Sequence, residues 1–325
     1  MNTLKHASST SEGSEGMIQI VASRPTHTWL SPPDNEVVHL TPEGALPEVM
    51  FAFHTDIPGQ YHWSWSIEWH ARTSGLRERP RQGEPLRVFS EAGAFVNGET
   101  SWLMDFGGKV LGGTLTVSVK VGSREFIRSI EIKGQNPSQD SVAAYVATLQ
   151  NMSGLDKLLQ QETGTRHFIE HDGEPIVSFD QGVGITQMTH PAPSYEQAWN
   201  WKANVLGGAS VYGAKRRDAQ RYLGQAGRPY TEEQLHHEAL SRWNGAAYHQ
   251  WDAASASWTK NQQILCDTRT GNIGWAMDNP NNQGKSEAQL HRRDKATYAQ
   301  GTTGQSADHP WAYKGVCYAD YVLGQ

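Results

Sequence analysis

The chain predicts two domains, an antiparallel β-sandwich followed by a mainly α-helical domain that carries a small β-hairpin. Three observations lead there. Its 325 residues exceed the roughly 100–200 of one ordinary domain. Apolar residues alternate with period two up to about Lys133 and recur three and four apart beyond it. A turn-rich segment, Gly134-Gln135-Asn136-Pro137-Ser138, separates the two patterns.

Taken in order, residues 1–16 are rich in Ser, Gly and Glu and read as a disordered lead-in. Residues 17–133 are expected to form the sandwich. In Tyr61–His70, Tyr61, Trp63, Trp65, Ile67 and Trp69 share one face and polar residues the other, as a half-buried strand requires. Thr114–Val121 alternates in the same way, and Met50–His54 and Phe126–Ile132 read as further strands. Short runs between turns such as Pro58-Gly59 and Gly112-Gly113 suit an immunoglobulin-like sandwich, which needs no cysteine bridge. Residues 134–140 form the linker, with Ser141 or Asp140 placed to cap a helix. In the second domain, residues 141–325, one helix starts at Val142, Tyr145 and Val146. A second, with Leu155, Leu158 and Leu159, runs into Glu162. Longer helical patterns span Tyr195–Tyr222 and Thr231–Trp243, the latter opened by a capping-box pattern, Thr231-Glu232-Glu233-Gln234. Residues 163–193 are polar and Gly-containing, and Asn261–Gly315 reads mostly as loop before a helix over Val316–Leu323.

Composition excludes several function classes. With 28 Lys+Arg against 34 Asp+Glu the net charge is −6, so a strongly basic polyanion binder is ruled out and no nucleic-acid partner is expected. No apolar run approaches the roughly 18 residues of a membrane span. Residues 1–16 lack the apolar core of a secretory signal. The 12 Trp residues suit large aromatic cores or clefts that stack flat ligands such as sugar rings. Cys266 and Cys317 form no Cys-x-x-Cys pair; they would bond in an oxidising compartment and stay buried thiols in the cytosol. His237-Glu238 starts like a zinc-protease motif, but Ser241 stands where the second His is needed. Asp278–Gly284 reads as a surface loop, with calcium the alternative, and Lys215-Arg216-Arg217 as a solvated helix face. Neither cofactor nor metal is expected.

The segment Leu158–Thr189 carries the chemistry. A leucine-rich helix ends in Glu162-Thr163, and a Gly-x-Gly-x-x-Gln element, Gly182–Gln187, follows. A carboxyl at the end of an apolar helix is partly desolvated, which raises its pKa and keeps it protonated for donation to a glycosidic oxygen. A glycine-bearing hairpin lets a polysaccharide approach the backbone, while a Gln amide can bond sugar substituents.

These residues resemble the lysozyme-like superfamily of goose-type lysozymes and soluble lytic transglycosylases. Glu162-Thr163 stands for its helix-terminal Glu-Ser, and Gly184-Ile185-Thr186-Gln187 for its Gly-Leu-Met-Gln element. Asn204-Val205-Leu206-Gly207-Gly208 stands for its Asn-x-x-x-Gly helix, and Arg242-Trp243-Asn244-Gly245 with Tyr248 for its Ala-Tyr-Asn-Ala-Gly turn. The order matches from roughly Ser141 to Trp251, with Thr in place of Ser and Trp in place of Tyr. The wording is most similar to bacterial wall-degrading proteins found with interbacterial secretion systems, such as type VI secretion, and with phage particles. The resemblance implies a lysozyme-like second domain and cleavage of peptidoglycan between N-acetylmuramic acid and N-acetylglucosamine. Glu162 would be the general acid and Asp180, 18 residues later, a candidate base, with Asp172 and Glu174 on the same stretch. Thr163, Gln187, Thr189, Asn244 and Tyr248 would contact substrate, Tyr248 beside the acid. Asp180 could instead brace its turn, and Trp243 and Tyr248 could serve packing alone. A chain made without a Sec signal would reach the periplasm or wall through a secretion machine or a phage route. Peptidoglycan is then the expected ligand, a secretion carrier or an immunity protein the candidate protein partner, and a monomer the expected state. The alternatives are an inert glycan-binding or structural protein and a chitinolytic enzyme.

Overall fold

The computed structural model describes residues 27–74, 81–298 and 311–324. The expected lead-in, residues 1–16, lies outside them. Two sheets build the first half. One has the order β1 (His27–Ser31), β3 (Met50–Thr55), β6 (Ser101–Leu103). The other has the order β2 (Glu36–His39), β8 (Arg124–Lys133), β7 (Gly113–Val121), β4 (Tyr61–Thr73), β5 (Gln82–Asn97). Alternation decides their inner faces. Trp63, Ile67 and Trp69 of β4 are buried, and so are Leu115, Val117 and Val119 of β7, in one core with Phe51 and Phe53 of β3. Cross-strand fit sets the pairing with β5. Gly93 faces Trp65, and a Cβ at Gly93 would lie 2.6 Å from Trp65 Cε2, so only glycine leaves room for that indole.

This pairing departs from a wholly antiparallel sandwich, because β2 runs parallel to β8, Glu36 opposite Ile130. Parallel strands need a crossover between them, and the chain supplies it by placing β3 to β7 between β2 and β8.

The second half is not the mainly α-helical domain expected. It holds α1 (Gln139–Ala147), α2 (Leu155–Thr163), α3 (Tyr195–Trp199), α4 (Trp201–Leu223) and α5 (Glu232–Trp243). Strands then take over. β9 (His249–Asp252) pairs with β10 (Ser257–Lys260), and β11 (Ile264–Cys266), β12 (Ile273–Ala276) and β13 (Trp311–Tyr313) form a further sheet. α6 (Glu287–Asp294) interrupts that sheet and α7 (Gly315–Leu323) follows it. Strands of three or four residues offer one or two inward positions, too few to display a period. Residues 261–315 therefore read as loop, although Trp275 and Trp311 are buried in a core of their own.

Local capping explains the helix ends. Ser138 caps α1 by accepting from Ser141 N at 3.0 Å, so the cap precedes Asp140 and Ser141 rather than being either. The Tyr195–Tyr222 pattern is two helices, broken where extended Asn200 accepts from Lys202 N and Ala203 N to start α4. Thr231 and Gln234 form the capping box of α5. Arg216 is buried against Glu232, 2.7 Å away, so the basic triplet is not a wholly solvated face. No helix among the described residues is long and apolar enough to cross a membrane.

The two halves meet along residues 163–199. Phe168, Val177, Val183 and Trp199 belong to the core of the sheets, whereas Ile185 belongs to the helical core. Gly184, at φ +72°, turns the chain from one core to the other. Trp199 packs edge-on to Trp69 of β4 at 5.5 Å, over Gly112, where a Cβ would come within 2.1 Å of the indole.

Candidate active site

α2 brings Glu162 to a junction of three other elements. Leu158 and Leu159 are buried, and Glu162, four and three residues on, falls on the same face, so its carboxyl ends the apolar stripe. The helix stops there because Gly164 and Thr165 adopt positive φ; their amides return to Gln160 O and Leu159 O. Tyr318 Oη of α7 donates to Glu162 Oε1 at 2.5 Å, and Trp243 Nε1, at the last residue of α5, donates to the same oxygen at 3.2 Å.

Burial pushes the Glu162 carboxyl above its ordinary pKa; the Tyr318 and Trp243 hydrogen bonds pull it back in part, and the negative charge of Asp180 adds to the rise. The Tyr318 phenol is pushed up by its own burial and by the carboxylate it faces, so it stays a donor.

A hairpin turn, residues 182–188, stands opposite, and its backbone is held on every side. Thr163 Oγ1 donates to Ile185 O at 3.1 Å. Ile185 N donates to His167 Nδ1 at 3.1 Å, and the other ring nitrogen of His167 donates to Ala198 O at 2.9 Å. Burial lowers the His167 pKa to about 4, which keeps the ring neutral, and its two partners require the proton on Nε2. Asn204 Oδ1 accepts from both Thr186 N at 3.0 Å and Thr186 Oγ1 at 2.7 Å, while its Nδ2 donates to Val183 O and Gln197 O. Glycines make the approach possible. A Cβ at Gly208 of α4 would lie 2.5 Å from Thr186 Cγ2, and one at Gly184 would lie 2.3 Å from His167 Cε1.

Of the residues expected at the site, Glu162 and Asp180 are brought close enough for their charges to interact. Asp180 also braces its own turn, its Oδ1 accepting from Ser178 Oγ at 2.5 Å and from Gly182 N at 3.5 Å. Asp172 and Glu174 are held elsewhere. Arg81 pairs with both, and Glu174 also accepts from Trp69 Nε1 and Lys133 Nζ. Thr163 is buried in the pin just described. Gln187, at φ +50°, commits its amide nitrogen to Gly184 O at 2.8 Å, and Thr189 Oγ1 donates to Gln187 O. Asn244 is an exposed helix cap. Tyr248 is buried and donates to Asp320 Oδ1 at 2.5 Å; the tyrosine on the acid is Tyr318.

Tyr318, Asn204 and His167 carry roles that the site reading did not assign. A signal exists for Tyr318: it sits among Val316, Ala319 and Val322 on a buried helix, and a buried phenol requires a partner for its hydroxyl. The exposed ring of Phe179, 69% accessible beside Asp180, is a further feature of this turn. Glu238 is fully buried and accepts from Arg242, from the backbone of Tyr248 and from His249, so it ties α5 to β9. Among the described residues no group of three or more His, Cys, Asp or Glu side chains is placed to hold a metal ion. The sequence matches no protein-family model and no curated protein.

Proposed function

We propose that this chain cleaves peptidoglycan glycan strands between N-acetylmuramic acid and N-acetylglucosamine, with Glu162 as the general acid. One observation carries the reading: a half-buried carboxyl whose pKa is raised, held by two neutral donors, facing a rigid glycine turn. A carboxyl in that state holds its proton to higher pH than an exposed one and can pass it to a leaving glycosidic oxygen. The motif order shared with goose-type lysozymes and soluble lytic transglycosylases supports the substrate. The solvent-facing ring of Phe179 supports it too, since a flat aromatic face suits a sugar ring.

Asp180 supports hydrolysis, as a muramidase. Its charge acts on Glu162, and an inverting hydrolase needs a second carboxylate about 6.5–9.5 Å from the acid. Its brace to Ser178 and Gly182 favours a second reading, lytic transglycosylation, in which Glu162 serves as acid and then base while the muramic acid's own hydroxyl attacks. The Cys266–Cys317 disulfide supports an oxidising place of action such as the periplasm, reached by a secretion or phage route.

The test is clearing of a peptidoglycan suspension by the full chain, followed by mass spectrometry of the products. Glu162→Gln should abolish clearing with unchanged circular dichroism, a loss on the order of 10²–10⁴ in rate. Clearing within a few-fold of wild type would remove Glu162 from the acid role. Anhydro-sugar products, lighter by one water, would decide for transglycosylation.

A further inference from the structure

The hydroxyl donor of the acid comes from a helix that a disulfide tethers. Cys317, in the first turn of α7, is bonded to Cys266 of β11, 51 residues earlier in sequence, with Cα atoms 5.3 Å apart. The next residue is Tyr318, which donates to Glu162. Two glycines shape the seat of this turn. A Cβ at Gly274 of β12 would lie 2.9 Å from Cys317 Sγ, and one at Gly315 would lie 2.7 Å from Asn244 O and 2.8 Å from Ser241 O. Asp320 adds a second hold, accepting from Tyr248 Oη and pairing with Lys260, whose Nζ lies 3.7 Å from Cys266 Sγ. Both sulfur-bearing residues line a solvent-facing groove of about 560 Å³ with Ile264, Leu265 and Tyr321, so a small reductant can reach the bond.

We propose that the Cys266–Cys317 bond is a positioning device for the acid: closed, it holds Tyr318 against Glu162; opened, it frees the first turn of α7 and withdraws that hydroxyl. Activity is thereby tied to oxidising surroundings. The opening step is a thiol–disulfide exchange. A dithiol reductant gives up two electrons and two protons and closes to its own disulfide, leaving two thiols on the protein. The catalytic side of this inference rests on the reading of Glu162 as the acid; the coupling between bond and carboxyl does not.

Three groups act on the Glu162 carboxyl: Tyr318 from α7 and Trp243 from α5 by hydrogen bonds, and Asp180, just before the hairpin turn, by its charge. Tyr318 alone of these sits on the tethered helix. Its hydrogen bond stabilises the carboxylate, so its withdrawal raises the Glu162 pKa further.

The experiment is a ¹³C-carboxyl NMR titration of the full chain, oxidised and after dithiothreitol, with the Glu162 signal assigned by Glu162→Gln. Kinetics on wall fragments run in parallel. Reduction should raise the Glu162 pKa in the same direction as Tyr318→Phe, cause no further shift in Tyr318→Phe itself, and lower kcat by about tenfold, the scale of one charge-assisted hydrogen bond. The double variant Cys266→Ser/Cys317→Ser should reproduce the reduced state without reductant. An unmoved Glu162 pKa would overturn the proposal even in an active enzyme. Global loss of circular dichroism on reduction would overturn it too, because the bond would then hold the fold and not the acid. A shifted pKa without glycan cleavage in either state would uphold the coupling and sink the catalytic reading alone.

Discussion

A single side-chain oxygen, Asn204 Oδ1, accepts both the backbone N–H and the hydroxyl of Thr186, across 18 residues of sequence and at full burial. The turn that faces Glu162 is therefore fixed by the first turn of α4. Asn204→Ala would leave the buried Thr186 N–H and hydroxyl without their acceptor and take one donor each from Val183 O, which keeps Met188 N–H, and from Gln197 O. A buried unsatisfied polar group costs about 1–3 kcal/mol. Urea unfolding should show Asn204→Ala less stable by about 3 kcal/mol, with activity falling further than stability explains. A loss under about 0.5 kcal/mol would mean that the turn holds without it.

Glu162→Gln should stabilise the protein at neutral pH while removing its activity. Burial raises the folded-state pKa of Glu162 above its unfolded value. Such a group contributes most below the unfolded pKa, and that contribution is lost as pH rises through the folded one. The amide carries no charge to desolvate. Melting temperatures of variant and wild type should coincide in acid and diverge in favour of the variant towards pH 8. A variant less stable at every pH would contradict the assigned burial of charge.

Tyr318→Phe and Asp180→Asn should move the alkaline limb of the pH–rate profile in opposite directions. The Tyr318 hydrogen bond lowers the Glu162 pKa and the Asp180 charge raises it. Removing the first moves the limb to higher pH; removing the second moves it to lower pH. Rates of both variants between pH 4 and 9 measure this, and shifts of the same sign would show that another group governs the limb.

Two glycines of α4 should respond with opposite signs to the same change. Gly→Ala inside a helix ordinarily stabilises by about 0.5–1 kcal/mol. At Gly213 the new methyl group meets the flexible end of Met152 at 3.2 Å, and that gain should largely survive. At Gly208 it meets Thr186 Cγ2 at 2.5 Å and Cβ at 2.7 Å, atoms that Asn204 holds in place, so about 1–2 kcal/mol should be lost to overpacking. Thermal unfolding of the pair decides it.

Where a residue's role depends on near neighbours, the sequence alone determines it. The alternation of Tyr61–His70, the capping box of Thr231 and Gln234, and the placing of Glu162 on the leucine face of α2 all follow from periods of two, three or four residues, and each has its counterpart in the structure. What tertiary structure decided lies farther apart. The partners of Glu162 come from 81 and 156 residues downstream, through Trp243 and Tyr318, and no local pattern links such positions. The short strands β9 to β13 exist through pairing, since three or four residues gain their order from the neighbour they bond and not from their own alternation. Tyr248 and Tyr318 show the difference most directly. Both are buried phenols requiring an acceptor, and only the docking of α7 against α5 and α2 assigns Asp320 to one and Glu162 to the other.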